Sequence, residues 1–560
     1  MRVWLLAMLL ALGIVGTLPA QTQPLLQLQG QPYLGGSMTL HLTGTVGQPA
    51  LLAYGLNPLT TPLQTGKGPW YVGSLVNLVA LGNIPSGGRI DLPFTIPPIM
   101  PALAGIPVVM QGYVPFALSN PAVLPLDVPY LVPTLAQVIS CPNPTAVSLF
   151  GRRIATGDLN GDGHRDIIGA ASHEDYLGIE SSGRVYVLWG PDFSTSIALA
   201  SASPRENGFF GISVTVARLD ADGLDDLIVG ETDGDPPAPG VTGNLYIYSG
   251  STNFRGAPSL VIPSPGTGVV FTGFGHAVAT GDFNDDGTTD IAVSINAATV
   301  QGLTKAGRID VILGPGFGTT IQILAPEPET NQGFGSSILA ADVNGDGVDD
   351  LVESSPGADV GGATNVGNAH VFIGPTLDLL VAIPCPEPLG DLTDFGISVG
   401  AGDLNEDGSA EVLLSDRRNR VFIFWSPGFL SYSIIRKPPA TFQIGLFQSE
   451  YGTVVDAADI NMDGITDVLI SDATDGTASG CSISGGGMVY IVLGPQLSTF
   501  HRVTDNSPAC SNWFGEWAKA ADLDGDGAPE LLVGSSAADD FGAPNSGHIT
   551  ILDGSGIGGS

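Results

Sequence analysis

The sequence predicts an all-β protein whose main body is a seven-bladed β-propeller, preceded by a small β-sandwich-like domain. Three observations carry that expectation. A Phe-Gly or Tyr-Gly pair recurs seven times at intervals of 56 to 64 residues, as Phe150-Gly151, Phe210-Gly211, Phe274-Gly275, Phe334-Gly335, Phe395-Gly396, Tyr451-Gly452 and Phe514-Gly515. Each pair runs into a short apolar stretch and then an acidic loop, and a fixed period of this length marks a repeat architecture. The 78 Gly, 43 Pro and only 13% charged residues suit short strands and tight turns rather than long charged helices.

Taken in order, residues 1–20 read as a secretory signal peptide. Arg2 precedes the apolar run Val3 to Val15, and small Ala20 stands before Gln21. A membrane anchor is the alternative, but the run is short for a bilayer. The later apolar stretch Phe94 to Met110 is broken by Pro97, Pro98, Pro101 and Pro107, so no transmembrane segment is expected after signal cleavage. A secreted, extracellular or cell-surface protein follows. Residues 21–130 lack the acidic loop and carry alternating stretches such as Met38 to Leu42 and Leu51 to Tyr54, which predicts a separate β-rich, sandwich-like domain.

The repeat occupies 132–554, and 555–560 read as a flexible tail. Each unit offers a strand after Phe-Gly, the acidic loop, a second strand such as Asp226 to Gly230, a polar loop, and a third strand marked Gly-x-x-Tyr, as at Gly183 to Gly190, Gly243 to Gly250 and Gly487 to Gly494. A fourth strand precedes the next Phe-Gly, as at Ser196 to Ser201 and Thr320 to Leu324. The last unit stops after its third strand at His548 to Gly554, whereas Leu135 to Ile139 resembles a fourth strand lying before the first unit. Supplying that strand from the start closes a ring and hides two sheet edges.

The acidic loop reads D-x-[DN]-x-D-G-x-x-[DE]. Calcium takes several hard oxygen ligands, and such a loop offers side chains at positions 1, 3, 5 and 9 with a backbone carbonyl at 7. The candidate ligands are Asp158, Asn160, Asp162, His164 and Asp166 in the first repeat, and Asp282, Asn284, Asp286, Thr288 and Asp290 in the third. The fourth repeat supplies Asp342, Asn344, Asp346, Val348 and Asp350, and the fifth Asp403, Asn405, Asp407, Ser409 and Glu411. The sixth supplies Asp459, Asn461, Asp463, Ile465 and Asp467, and the seventh Asp522, Asp524, Asp526, Ala528 and Glu530. The second copy, Arg218 to Asp226, puts a cation where the first carboxylate belongs, so it is expected to be ion-free, with Arg218 pairing with Asp220 or Asp222. About six Ca²⁺ sites result. An EF-hand would need flanking helices and a Glu at position 12; Glu353 alone stands there, and the match is read as chance. Acidic turns without an ion are the plainer alternative, against which six copies in register argue.

The chain has 55 acidic and 19 basic residues, a formal charge of −36. That disfavours nucleic acid and anionic membranes as partners, and six divalent ions would offset twelve charges. Cys141, Cys385, Cys481 and Cys510 form no CxxC pair. Cys141 and Cys385 occupy equivalent repeat positions and are expected blades apart and unpaired, while for Cys481 and Cys510 a disulfide and free thiols both remain open.

Phe-Gly, the calcium loop and the following strand resemble the FG-GAP repeats of the integrin alpha-subunit β-propeller, over roughly three quarters of the chain. The resemblance implies calcium loops on one face and ligand contacts on loops of the other, here 172–182, 231–242, 354–366, 471–486 and 535–545. Tyr176, Arg417, Arg418 and Arg420 are the least ordinary residues there, with solvated loop residues the plainer reading.

No catalytic constellation is identifiable, so no enzyme is expected. Gly396-Ile397-Ser398-Val399-Gly400 matches the G-x-S-x-G elbow of serine hydrolases, but no helix follows and Gly211-Ile212-Ser213-Val214 repeats it, which makes Ser398 a framework residue. The expected function is a binding or adhesion module for an extracellular protein or glycan ligand. Two alternatives are a calcium-dependent carbohydrate-active enzyme, whether polysaccharide lyase or hydrolase, and a structural envelope protein; clustered acids, Arg and Tyr in one cleft would favour the enzyme.

Overall fold

The computed structural model describes residues 135–232, 243–265, 273–388, 392–438, 451–474, 486–497, 499–505, 512–539 and 543–554, together with the backbone of eight strands between residues 26 and 124. The expected leader 1–20, the tail 555–560, and Cys481 and Cys510 lie outside the described residues. Every named element is a β-strand, and among the described residues no helix is long and apolar enough to cross a membrane.

The chain forms two compact units, Met1–Tyr130 and Leu131–Ser560. In the first unit Leu26–Gly30, Ser37–Thr43 and Arg89–Thr95 form a three-stranded antiparallel sheet. A second sheet orders Gly68–Asn83, Pro49–Thr65, Val108–Val114 and Ala117–Leu118, with Ala122–Leu124 also paired to Val108–Val114.

The second unit consists of seven four-stranded antiparallel sheets. In six of them four consecutive strands pair in chain order; the first blade is Arg153–Gly157, Asp166–Ala171, Arg184–Leu188 and Ser196–Leu199. The seventh takes Phe514–Ala521, Glu530–Ser535 and His548–Leu552, and its fourth strand is Leu135–Ser140 from the start of the unit, in register Ile549 to Ile139. The first strand of each blade packs on the first strand of the next, and that of the seventh on that of the first, so the ring is closed. This is the seven-bladed propeller and the strand exchange that the repeat spacing predicts.

Burial follows from this stacking. Second strands such as Asp166–Ala171, Asp226–Glu231 and Asp290–Ile295 are buried at every position, because neighbouring blades cover both faces. Fourth strands face solvent and alternate, as in Thr319–Leu324. The apolar clusters lie between blades: Ala155, Ile168 and Val185 of the first meet Phe210, Leu227 and Tyr246 of the second. The aromatic of every Phe-Gly or Tyr-Gly pair is buried, and each such side chain contributes about 1.5–3 kcal/mol on leaving water.

In the three blades whose third strand carries the tyrosine, the two aromatic marks of the repeat meet. Phe150 stands edge-on to Tyr186 at 5.8 Å, Phe210 to Tyr246 at 5.2 Å and Tyr451 to Tyr490 at 5.4 Å. The glycine opening the third strand has a separate cause. The Phe395 amide donates to the Val366 carbonyl at 2.9 Å across the seam between blades, and a Cβ on Gly367, at φ +90°, would stand 2.1 Å from the Phe395 oxygen. Only glycine fits there. Cys141 and Cys385 are buried and unpaired, and burial pushes the Cys141 thiol up to about 11.

Candidate metal loops and the opposite face

The acidic loops join first to second strands, whereas the loops after the second strands leave from the other end of the ring. In an up-and-down blade these are opposite faces.

Each intact loop is folded by its own backbone amides. In the first repeat Asp158 Oδ1 accepts Gly161 N at 2.7 Å, and Oδ2 accepts Gly163 N at 2.9 Å. Asn160 Oδ1 accepts Asp162 N at 2.8 Å, and Asp162 Oδ1 accepts His164 N at 2.9 Å. Gly163 has φ +87° with open space around it, so the turn itself requires glycine. The bond from the position-6 amide to the first carboxylate recurs on Asp282, Asp342, Asp403, Asp459 and Asp522 at 2.8–3.1 Å. The bond from the position-7 amide to the position-5 carboxylate recurs at Thr288, Val348, Ser409, Ile465 and Ala528.

The position-9 acid lies at the base of the loop. Asp166 is buried, with Oδ2 accepting Leu159 N and Oδ1 accepting Gly190 N, both at 3.0 Å. The position-2 amide makes the same bond to Asp226, Asp290, Asp350, Glu411, Asp467 and Glu530. This acid therefore stitches the blade together in all seven repeats, the damaged one included, a role that its ligand-like spacing conceals. Burial, opposed by those amides, pushes Asp166, Asp350 and Asp467 up to about 6. Each carboxylate oxygen that accepts one amide keeps a further lone pair.

In the seventh loop carboxylate oxygens of Asp522, Asp524 and Glu530 lie within 4.8 Å of one another. Oxygens bound to one calcium at 2.3–2.6 Å stand at most about 5 Å apart, so this donor set fits that ion. Asp526 is outside the cluster; its Oδ1 accepts the Ala528 amide at 2.7 Å.

The damaged second loop differs from expectation in one respect. Arg218 pairs with Asp225, Nε to Oδ1 at 3.1 Å, and not with Asp220 or Asp222. Asp220 and Asp222 are occupied by the Asp222 and Leu224 amides, while Asp225 lies on the side facing the first blade.

On the opposite face, loop 172–182 is described throughout, while 233–242, 475–485 and 540–542 lie outside the described residues. Arg420 is not a solvated loop residue: it is 1% exposed, with Nε 2.7 Å from Asp416 and Nη1 3.3 Å from Glu387. Arg417 is half-exposed and pairs with Asp394. Tyr176 lies under Arg184 at 4.9 Å. Arg184 also reaches Glu174 at 3.2 Å, and Tyr186 donates to Glu174 at 2.7 Å. This is the Arg, Tyr and acid grouping that an enzyme would need, but Glu174 and Tyr186 are buried in the blade interior. Ser398 is a framework residue, its Oγ accepting Val455 N at 3.3 Å across a blade seam.

Sequence reasoning passed over Arg152, Arg153, His276, Glu516 and Trp517. Their signal was register: they occupy the two places after Phe-Gly, where four repeats carry Ile, Ser, Thr or Val.

Comparison with known proteins finds the same repeat in the sequence. The FG-GAP repeat family model matches residues 150–188, 334–372 and 514–552, and the FG-GAP-like repeat model matches 218–293. Phosphatidylinositol-glycan-specific phospholipase D of Bos taurus is 35% identical over 162 residues, which cover 27% of this chain and 19% of that protein. Integrin alpha-5 of Xenopus laevis is 28% identical over 226 residues, covering 38% of this chain and 20% of that protein. The chain thus spans about a fifth of the length of these curated relatives. A solved structure, BBS1N in complex with ARL6DN, aligns over 74% of this chain and 96% of that one at TM-score 0.44 and 11% identity.

Proposed function

We propose that this chain, whose β-propeller carries FG-GAP repeats and is similar to integrin alpha subunits, is a secreted or cell-surface binding and adhesion module stiffened by calcium. The observation that carries the reading is the six-fold recurrence of one acidic loop folded by its own amides; in the seventh repeat, alone among the described residues, three of its acids bring carboxylate oxygens within 4.8 Å of one another. Positions 1, 3, 5 and 9 with the position-7 carbonyl hold about six ions, and the second repeat is ion-free because Arg218 replaces the first carboxylate. The ions supply charge neutralisation, while the chain's own amides set each carboxylate in place beforehand.

Recognition belongs on the face away from these loops, where a protein or glycan ligand would meet the connections after the second strands. The relatives named above include a phospholipase and an integrin subunit, matched here only over a fifth of their length. The buried state of Glu174 and Tyr186 gives a binding role preference over carbohydrate chemistry.

Extracellular calcium modules bind with dissociation constants near 10⁻⁴ to 10⁻³ M. At about 1–2 mM calcium each site adds roughly 1 kcal/mol, and six add on the order of 6 kcal/mol, comparable with the net stability of a domain. The test is thermal unfolding of the mature protein with calcium and with chelator. A clear drop in Tm on chelation, reversed by calcium, is expected; an unchanged Tm would end the calcium reading.

A further inference from the structure

Each first strand starts at the Phe-Gly end and packs on its two neighbours around the axis. The two residues after each Phe-Gly therefore ring the axial opening on the face away from the acidic loops. In blades one, three and seven these places carry Arg152-Arg153, His276 and Glu516-Trp517.

Arg152 is balanced: its Nε lies 3.2 Å from Glu516 Oε1, and its Nη1 lies 3.4 Å from His173 Nε2. Glu516 is further held by the Ser536 hydroxyl. Arg153 has no acid of its own among the described residues. Its Nη1 donates to the Arg152 carbonyl at 2.9 Å, and its guanidinium carbon stands 4.7 Å from the centre of the Trp517 ring. The buried Nδ1 of His276 has no hydrogen-bond partner. Burial, and then the charges of Arg153 and Arg152, hold this imidazole down at about 4, so it is neutral near pH 7. Among the described residues that follow the Phe-Gly pairs, two guanidinium groups against one carboxylate leave one positive charge, in a chain of formal charge −36.

A half-buried guanidinium fork, with the orphaned His276 nitrogen near enough for that imidazole to feel its charge, matches a flat, singly charged oxyanion better than a phosphate dianion. We propose that the axial opening at Arg153, His276 and Trp517 binds a carboxylate of the ligand, supplied by an Asp or Glu side chain of a partner protein. A peptide source is favoured over a uronic acid because Arg153 already covers a face of Trp517 that a sugar ring would need. The proposal rests on the reading that recognition occurs on this face.

The test uses the mature full chain at saturating calcium, labelled at histidine 13Cε1, with the His276 signal assigned through His276→Gln. The probes are a Gly-Gly-Glu-Gly-Gly peptide with blocked termini, its Gln counterpart, and a glucuronate disaccharide. A saturable shift of the His276 signal with the Glu peptide is expected, absent with the Gln peptide and weakened at least tenfold in Arg153→Gln. Arg153→Lys, which keeps the charge and loses the fork, should fall between. No shift up to millimolar peptide, an equal response in Arg153→Gln, or a response to glucuronate alone would each overturn the proposal. Calcium-dependent melting of the same variants shows that they are folded. A Tm insensitive to chelator removes the calcium-module reading and leaves the peptide titration to be judged by itself.

Discussion

The Asp225 carboxylate ties the second repeat to the first: its Oδ2 accepts the Asp158 backbone amide at 2.9 Å, while its Oδ1 takes Arg218 Nε at 3.1 Å. Asp158 opens the first acidic loop, so the repeat that has lost its own first carboxylate braces the loop of its neighbour. Asp349 does the same for the third repeat, accepting the Asp282 amide at 2.9 Å. Asp225→Ala is expected to weaken calcium at the first loop by roughly tenfold, since a hydrogen bond to a charged group contributes about 1.5 kcal/mol. Arg218→Ala should cost less than about 0.5 kcal/mol, because that side chain is 67% exposed. Calorimetric titration of both variants, with Asp158→Asn as the reference for loss of that site, decides it; an Asp225→Ala isotherm identical to the parent's would refute the bracing role.

The closing strand carries its stabilisation on one side only. Ile139 is 6% exposed and packs beside Ile549, whereas Val138 is 46% exposed. Ile139→Ala is expected to destabilise by about 2–4 kcal/mol, as a large-to-small change in a core does. Val138→Ala should stay within about 0.5 kcal/mol. Urea midpoints of the two variants measure the difference, and equal midpoints would mean that this strand does not seal the ring in solution.

Glu353 occupies the place of an EF-hand's last ligand, yet it is fully buried within the blade. Its Oε1 lies 2.5 Å from His370 Nδ1, its Oε2 accepts the Gly335 amide at 2.9 Å, and burial pushes its carboxyl up against the hydrogen bond from His370. His370→Ala should cost about 3 kcal/mol or more by leaving the acid without its partner. Calcium stoichiometry should not change in Glu353→Gln. Loss of one bound ion in that variant, read by calorimetry, would restore the EF-hand role.

His173, His276 and His501 are each held down at about 4, chiefly by burial. In the unfolded chain a histidine titrates near 6.5, so as pH falls the unfolded state takes up these protons first. Stability is therefore lost between about pH 6.5 and 4, on the order of 1 kcal/mol per residue after allowance for their partial exposure. Without calcium, Asp166, Asp350 and Asp467 slope the other way, because carboxylates raised to about 6 favour the fold as pH falls from about 6 to 4. Comparing parent and His276→Gln at saturating calcium cancels the carboxylates. The variant should lose less stability from pH 7 to pH 5, and parallel curves would contradict this assignment.

The geometry of the acidic loops is legible in the sequence because it is local: nine consecutive residues hold the proposed donors, and the amides that orient them lie in the same turn. Contacts across a blade seam were not legible. Arg218 was read against Asp220 and Asp222, its neighbours in sequence, while its partner is the acid turned toward the preceding blade. Solvation is the plainer reading of Arg420 from sequence, yet Asp416 accompanies it into the interior and the partly exposed Glu387 covers it from the surface side.

The number of blades, the order of strands within each and the donated strand Leu135–Ser140 are all written in the repeat itself, because a unit that cannot bury its own faces must stack on copies of itself at a fixed period. Which charged and aromatic side chains meet at the Phe-Gly end of the ring follows from its closure alone. Arg152, Arg153, His276, Glu516 and Trp517 come from blades separated by more than a hundred residues of chain, and their meeting depends on the radius at which seven first strands close. Period is a property of one dimension; the charge left at the centre of a ring is set by which side chains the closure brings face to face.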